Sequence, residues 1–258
     1  ILQNLNIKYK FYEIDEYLKP ANENILIDKN VGFLYTNYFG LLDEYINQLK
    51  IKNLIIDNSQ SFFSKINPNY DSFNSVRKFF GVPDGAYAFL KDKKIDLYNS
   101  LDTDSSFMNF SHLLKRADTG AKSGYLDFQN FENKIKYLSM MKMSCLTNKL
   151  LNSIDYKTIQ LKRIENFLFL KKKLKKKNML KIDFDNISNP MCYPLLVENE
   201  NIKEKLLEKN IFIPTYWENV LKDTNQNSFE YFLTNNLLAL PIDQRYNTND
   251  LNRIVELI

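Results

Sequence analysis

The sequence predicts an α/β fold: a mostly parallel central sheet with helices on both faces, followed by a C-terminal α+β lobe. Three observations predict it. Short apolar runs alternate with amphipathic stretches through the first 90 residues, the pattern of strand–helix–strand units with buried parallel strands. Two long stretches of helical period follow in the middle of the chain. Beyond the basic run that ends at Lys177, strands and short helices are separated by turns.

In order, residues 8–14 alternate as a strand, and 31–36 are near-continuously apolar, as a buried strand is. Residues 41–49 have the helical period. Residues 53–57 and 86–90 read as two further short strands. Helices are expected over 131–150 and 156–174, separated by Asn152, Ser153, Ile154 and Asp155. A turn-rich stretch at 186–190 leads to a strand at 192–197, a helix at 200–208 and a strand at 211–213. The last helix is expected over 248–258, with Thr248 as N-cap and Asp250 in its first turn. The division this suggests is a large domain over 1–150, then a linking helix and small domain over 151–258.

Composition excludes several classes. The chain has 258 residues, 44% hydrophobic and 26% charged, as an ordinary globular protein does. Apolar runs such as 53–56 and 237–240 are far too short to cross a bilayer. Neither a membrane partner nor a secretion leader is expected, although the first residue is Ile rather than Met. Cys145 and Cys192 stand far apart without metal-ligand spacing, and His112 is the single histidine, so no metal site is expected. His112 itself reads as an ordinary helix or loop residue. The cysteine usage fits a reducing cytoplasm. The net charge of +4 is mild. The run of Lys171, Lys172, Lys173, Lys175, Lys176 and Lys177 suits the C-terminal end of a helix better than a nucleic-acid patch.

In an open α/β sheet, ligands sit beyond the carboxyl ends of the strands, so the residues following each strand are the candidates. After 31–36 come Asn37 and Gly40; after 53–56 come Asp57, Asn58, Ser59 and Gln60; ahead of 86–90 come Ser75, Arg77 and Lys78. A carboxylate at the end of an apolar strand is costly to desolvate without a cationic partner. Read singly, Asp57 is equally a cap for the following turn, Gln60 a loop residue and Lys78 a solvated lysine. Arg77, next to Lys78 in what reads as an extended segment, points to the opposite side. There it meets either a phosphate or a surface carboxylate. Tyr216 and Trp217 either wall a substrate pocket or pack the C-terminal lobe.

In combination and order these residues resemble the DegT/StrS-type sugar aminotransferases, fold type I enzymes that use pyridoxal 5′-phosphate (PLP). The Asp57-to-Gln60 segment matches the family's Asp-x-x-Gln, and Ser75 with Lys78 matches its Ser ahead of the cofactor-bearing lysine. Asn37 to Gly40 is similar to the Asn-x-x-Gly that precedes the aspartate strand. Tyr193 to Leu196, Lys209 to Trp217, Leu240 to Asp243 and Asn249 to Val255 are similar to the family's C-terminal segments. The resemblance covers essentially the whole chain, although the family's amino-terminal segment has no counterpart before Lys8. It implies the PLP-dependent transferase (aspartate aminotransferase-like) fold.

The resemblance also implies roles: Lys78 catalytic; Asp57 on the pyridine nitrogen; Ser75 on the phosphate; Gln60 and Asn37 beside the ring. Arg77, Tyr216 and Trp217 are the candidate substrate residues, on the reading of the residues themselves and with the alternatives given above. The activity implied is amino transfer from glutamate to a keto group on a nucleotide-linked sugar, for surface polysaccharide or glycan synthesis, in a cytoplasmic homodimer. The competing expectations are a PLP-dependent sugar dehydratase, against which Lys78 argues, and a non-catalytic or degenerate member.

Overall fold

The computed structural model describes residues 2–3, 5–22, 30–92, 95–198 and 201–258. The chain forms two compact units: residues 34–48 and 54–160 make one, and residues 1–33, 49–53 and 161–258 make the other. This differs from a split at 150/151, because the first 33 residues group with the C-terminal lobe.

The unit spanning 34–48 and 54–160 is built on a sheet of order β1-β2-β3-β4: Phe33–Thr36, Leu54–Asn58, Asp71–Asn74 and Ala88–Phe89. The amides of Phe33 and Asn37 donate in step to the carbonyls of Asn53 and Asp57, as parallel neighbours do. Strand β3 pairs parallel with β2, placing Asp57 beside Phe73 and Asn58 beside Asn74. Strand β4 runs antiparallel to β3. The result is the mostly parallel sheet the sequence predicts. Side chains alternate between its faces. Tyr35, Leu54, Ile56, Ser72 and Asn74 are buried on one face. On the other, Leu34 and Ile55 remain 44% and 36% exposed, so apolar character in β1 and β2 does not mean burial on both sides.

Strand β3 escapes hydrophobic pattern reading because its inward residues are polar. Helices of this unit are α1 (Asp43–Gln48), α2 (Ile95–Asn99), α3 (Ser111–Thr119), α4 (Tyr125–Ile135) and α5 (Cys145–Asn152). The single helix expected over 131–150 is thus two. Between them Lys142 donates its amide to Asp102 O at 2.7 Å and accepts from Asp104 N at 3.0 Å, and this backbone pairing breaks the helical ladder. Helix α5 restarts at Ser144, whose hydroxyl caps Thr147 N.

Helix α6 (Tyr156–Leu174) has the predicted bounds. The lobe that follows pairs β5 (Cys192–Leu196) antiparallel with β6 (Leu237–Pro241), among α7 (Ile202–Glu208), α8 (Val220–Asp223), α9 (Phe229–Asn236) and α10 (Thr248–Glu256). Glu200, the expected start of the helix at 200–208, lies outside the described residues. Helix α10 is capped one residue earlier than expected: Asn247 Oδ1 accepts from Asn249 and Asp250, and Asp250 Oδ2 accepts from Asn247 N in return.

Residues 8–14 and 211–213 are not strands. The first makes only an isolated bridge between Ile14 and Pro20. A period-two pattern creates a strand only where a neighbouring edge is there to pair with. No helix among the described residues is long and apolar enough to cross a membrane.

Candidate active site

Strands β1, β2 and β3 end at one edge of the sheet, and each is followed by a polar residue that reading along the chain singles out. Asp57 is half-buried near the end of β2. Its Oδ1 accepts from the Ser59 amide at 2.8 Å and closes the turn that leaves the strand. Beyond β3, residues 75–80 form a turn rather than an extended segment, with the Phe79 and Phe80 amides donating to Val76 O at 3.1 and 2.9 Å. Val76, Phe79 and Phe80 are buried, while Lys78 projects outward. The turn is anchored from below by aromatic packing of Phe79 and Phe80 against Phe62 and Phe63, and of Phe62 and Phe80 against Tyr156.

The Lys78 ammonium donates to Ser59 Oγ at 3.1 Å, so Asp57, Ser59 and Lys78 form one array across two strand ends. Much of the Lys78 side chain is open to solvent, and its head lies against Ser59. Burial lowers its pKa below the ordinary 10.5. The Asp57 carboxylate works against that shift, Arg77 adds to it, and Glu132 opposes it. A lysine so placed yields its free amine more readily than a solvated one.

Gln60 and Asn37 hold the edge together. Gln60 is 2% exposed, and its Oε1 accepts from the Phe39 amide at 2.9 Å. That bond fixes a 3-10 turn (Tyr38–Gly40) in which Phe39 has a left-handed φ of 58°. Asn37 is fully buried, and its Oδ1 accepts from Leu42 N at 3.1 Å. Its Nδ2 lies 2.6 Å from Asp43 Oδ1, 3.0 Å from Asn58 Oδ1 and 3.3 Å from Ser64 Oγ. Ser75 stands half-buried just past β3.

Arg77 finds a carboxylate: it is paired with Glu132 of α4, and its guanidinium lies 5.1 Å from the Phe131 ring centroid. Asp84 and Gly85 are residues the chemical motifs did not single out. The Asp84 carboxylate accepts from Ser144 N at 2.7 Å, from Ser144 Oγ at 3.0 Å and from the Thr147 hydroxyl, binding this loop to the start of α5. Gly85 has φ +108°, and a Cβ there would sit 2.8 Å from Val76 Cγ2. The signal available in the sequence was the Asp-Gly pair, a turn marker.

In the other unit, the Tyr216 and Trp217 rings are 5.6 Å apart. Burial raises the Tyr216 phenol above its ordinary pKa, with Cys192 next in effect. Arg163 of α6 is 2% exposed and donates to Pro190 O at 3.2 Å, Met191 O at 2.7 Å and Gln244 Oε1 at 3.3 Å. Burial pulls its pKa down to about 10.

No family model and no curated protein sequence matches this chain. Solved structures do. The sugar aminotransferase CalS13 from Micromonospora echinospora superposes with a TM-score of 0.59 at 11% identity, covering 99% of this chain and 75% of that one. The chain shares the fold of that structure. PseC, the Helicobacter pylori aminotransferase of pseudoaminic acid biosynthesis, shares this fold with a TM-score of 0.59 at 15% identity, over 99% and 74% of the two chains. A DegT DnrJ EryC1 StrS aminotransferase from Brucella abortus does so at 0.57 and 13%, over 97% and 72%.

Proposed function

We propose that this protein is a PLP-dependent aminotransferase that moves an amino group, from glutamate, to a keto group on a nucleotide-linked sugar, for surface polysaccharide or glycan synthesis. The observation that carries the reading is the array of Asp57, Ser59 and Lys78 at one edge of a parallel sheet, in a fold shared with sugar aminotransferases. The donor set fits the cofactor. An amine with lowered proton affinity suits covalent attachment to an aldehyde, and a carboxylate near it suits a protonated ring nitrogen. When bound, PLP supplies an electron sink for the carbon that loses a proton.

The chain's own residues do the rest. Asp57 balances positive charge on the ring. Lys78 holds the cofactor and, once released, carries a proton at its Nζ. Ser59 orients that amine, and Ser75 offers a hydroxyl to a phosphate. Asn37 and Gln60 act behind the site, by holding the loops after β1 and β2 in place. The same reading takes the protein to be a cytoplasmic homodimer.

The test is direct. Protein incubated with PLP is expected to absorb in the near-visible, and borohydride reduction followed by peptide mass mapping is expected to find the pyridoxyl group on Lys78. Lys78→Ala is expected to abolish both, while adding glutamate to the wild type bleaches the band. Labelling elsewhere, or none, sinks the reading.

A further inference from the structure

One cluster next to the Lys78 turn engages Arg77, a residue the sequence offered for substrate, in a different way. Arg77 is gripped by α4 on two sides: Glu132 pairs with its charge, and the Phe131 ring lies under its guanidinium at 5.1 Å. Phe131 is itself buried and backed by the His112 imidazole, nearly parallel to it at 20° and 5.5 Å away. Lys78 is the next residue along, and its amine reaches Ser59 instead. Two neighbouring cations in a tight turn repel each other unless their heads are drawn to different partners. Here they are, Arg77 to Glu132 and Lys78 to Ser59.

We propose that Glu132 is a positioning residue for Lys78: by holding Arg77 on α4 it keeps a second cation away from the Ser59 and Asp57 side of the turn. The inference rests on the reading of Lys78 as the cofactor-bearing lysine. The charged groups acting on Lys78 are Asp57 from β2, Arg77 from its own turn and Glu132 from α4. Asp57 and Glu132 favour the ammonium, and Arg77 disfavours it. Loss of Glu132 therefore removes one favourable charge and frees an unfavourable one, whereas loss of Arg77 acts in the opposite sense.

The experiment is an NMR titration of reductively 13C-methylated lysines, with the Lys78 signal assigned from Lys78→Arg. Glu132→Gln is expected to lower the Lys78 midpoint, Arg77→Met to raise it, and the double variant to return close to the wild type. A merely structural pair would not give opposite signs that cancel. Glu132→Asp, which retains the charge, is expected to restore the wild-type midpoint in part. Circular dichroism melts check that each variant is folded. An unchanged Lys78 midpoint in Glu132→Gln, or a lowered one in Arg77→Met, overturns the proposal. The titration is read without cofactor, so its failure is distinct from failure of PLP to label Lys78.

Discussion

Ser59 joins Lys78 to Asp57: its hydroxyl accepts from the lysine at 3.1 Å, and its amide donates to the aspartate at 2.8 Å. Burial first, then Arg77, pulls the lysine's pKa below 10.5, and Asp57 holds it up. The folded chain therefore binds this proton less tightly than the unfolded chain. Its penalty is fully present below the lowered value and disappears as pH rises through the interval up to 10.5. Methylation rates at Lys78, followed by mass spectrometry against pH, should show a midpoint below that of exposed lysines. Asp57→Asn should move it lower still. A midpoint equal to that of a free lysine would contradict this.

Asn37 is tied into the fold by hydrogen bonds at both ends of its amide. Asn37→Ala leaves the Leu42 amide and the Asn58 side-chain Oδ1 without their buried partner. The expected loss is about 2–4 kcal/mol of stability in urea titrations. The Lys78 titration should stay where it is. A loss below about 0.5 kcal/mol would mean that water replaces the amide without cost.

Gly85 has the backbone of a residue without a side chain. Gly85→Ala places a methyl 2.8 Å from Val76 Cγ2 and 2.9 Å from Met143 Cε, at φ +108°. It is expected to destabilise by about 1–3 kcal/mol. Part of that is steric, so Val76→Ala should cost less in the Gly85→Ala background than in the wild type, as a double-mutant cycle would show. Simple additivity would rule out the Val76 clash as a cause.

Arg163 tests the lobe. Arg163→Met strands three acceptors, Pro190 O, Met191 O and Gln244 Oε1, and should cost about 3 kcal/mol or more in the thermal or urea midpoint. Arg163→Lys should recover little, because a single ammonium cannot reach the acceptors that a planar fork serves. Full recovery by lysine would show that charge alone matters there.

The parts of the fold with strong local signals were legible in the sequence. Helix α6 has its predicted bounds, β1 and β5 lie within the expected runs, and β2 runs one residue past its expected end, to Asn58. Strand β3 was not legible because Ser72 and Asn74 face inward, and Asn74 earns its burial by accepting from Tyr87 N at 3.1 Å. Residues 8–14 misled for the opposite reason, since alternation came without a partner edge. At the site, residue types and order brought Asp57 and Lys78 forward, but not the turn geometry that sends Arg77 to Glu132. That depends on α4, more than fifty residues away in the chain.

The alternation along β1 and β2 bears on how such chains diverge. Leu34 and Ile55 face outward, while Tyr35 and Ile56 are locked in by close packing. Substitution is then cheap at Leu34 and Ile55 and costly at Tyr35 and Ile56, so only every second position along these strands constrains the residue type. A backbone held by so few side chains is compatible with the 11–15% identity at which solved structures share this fold.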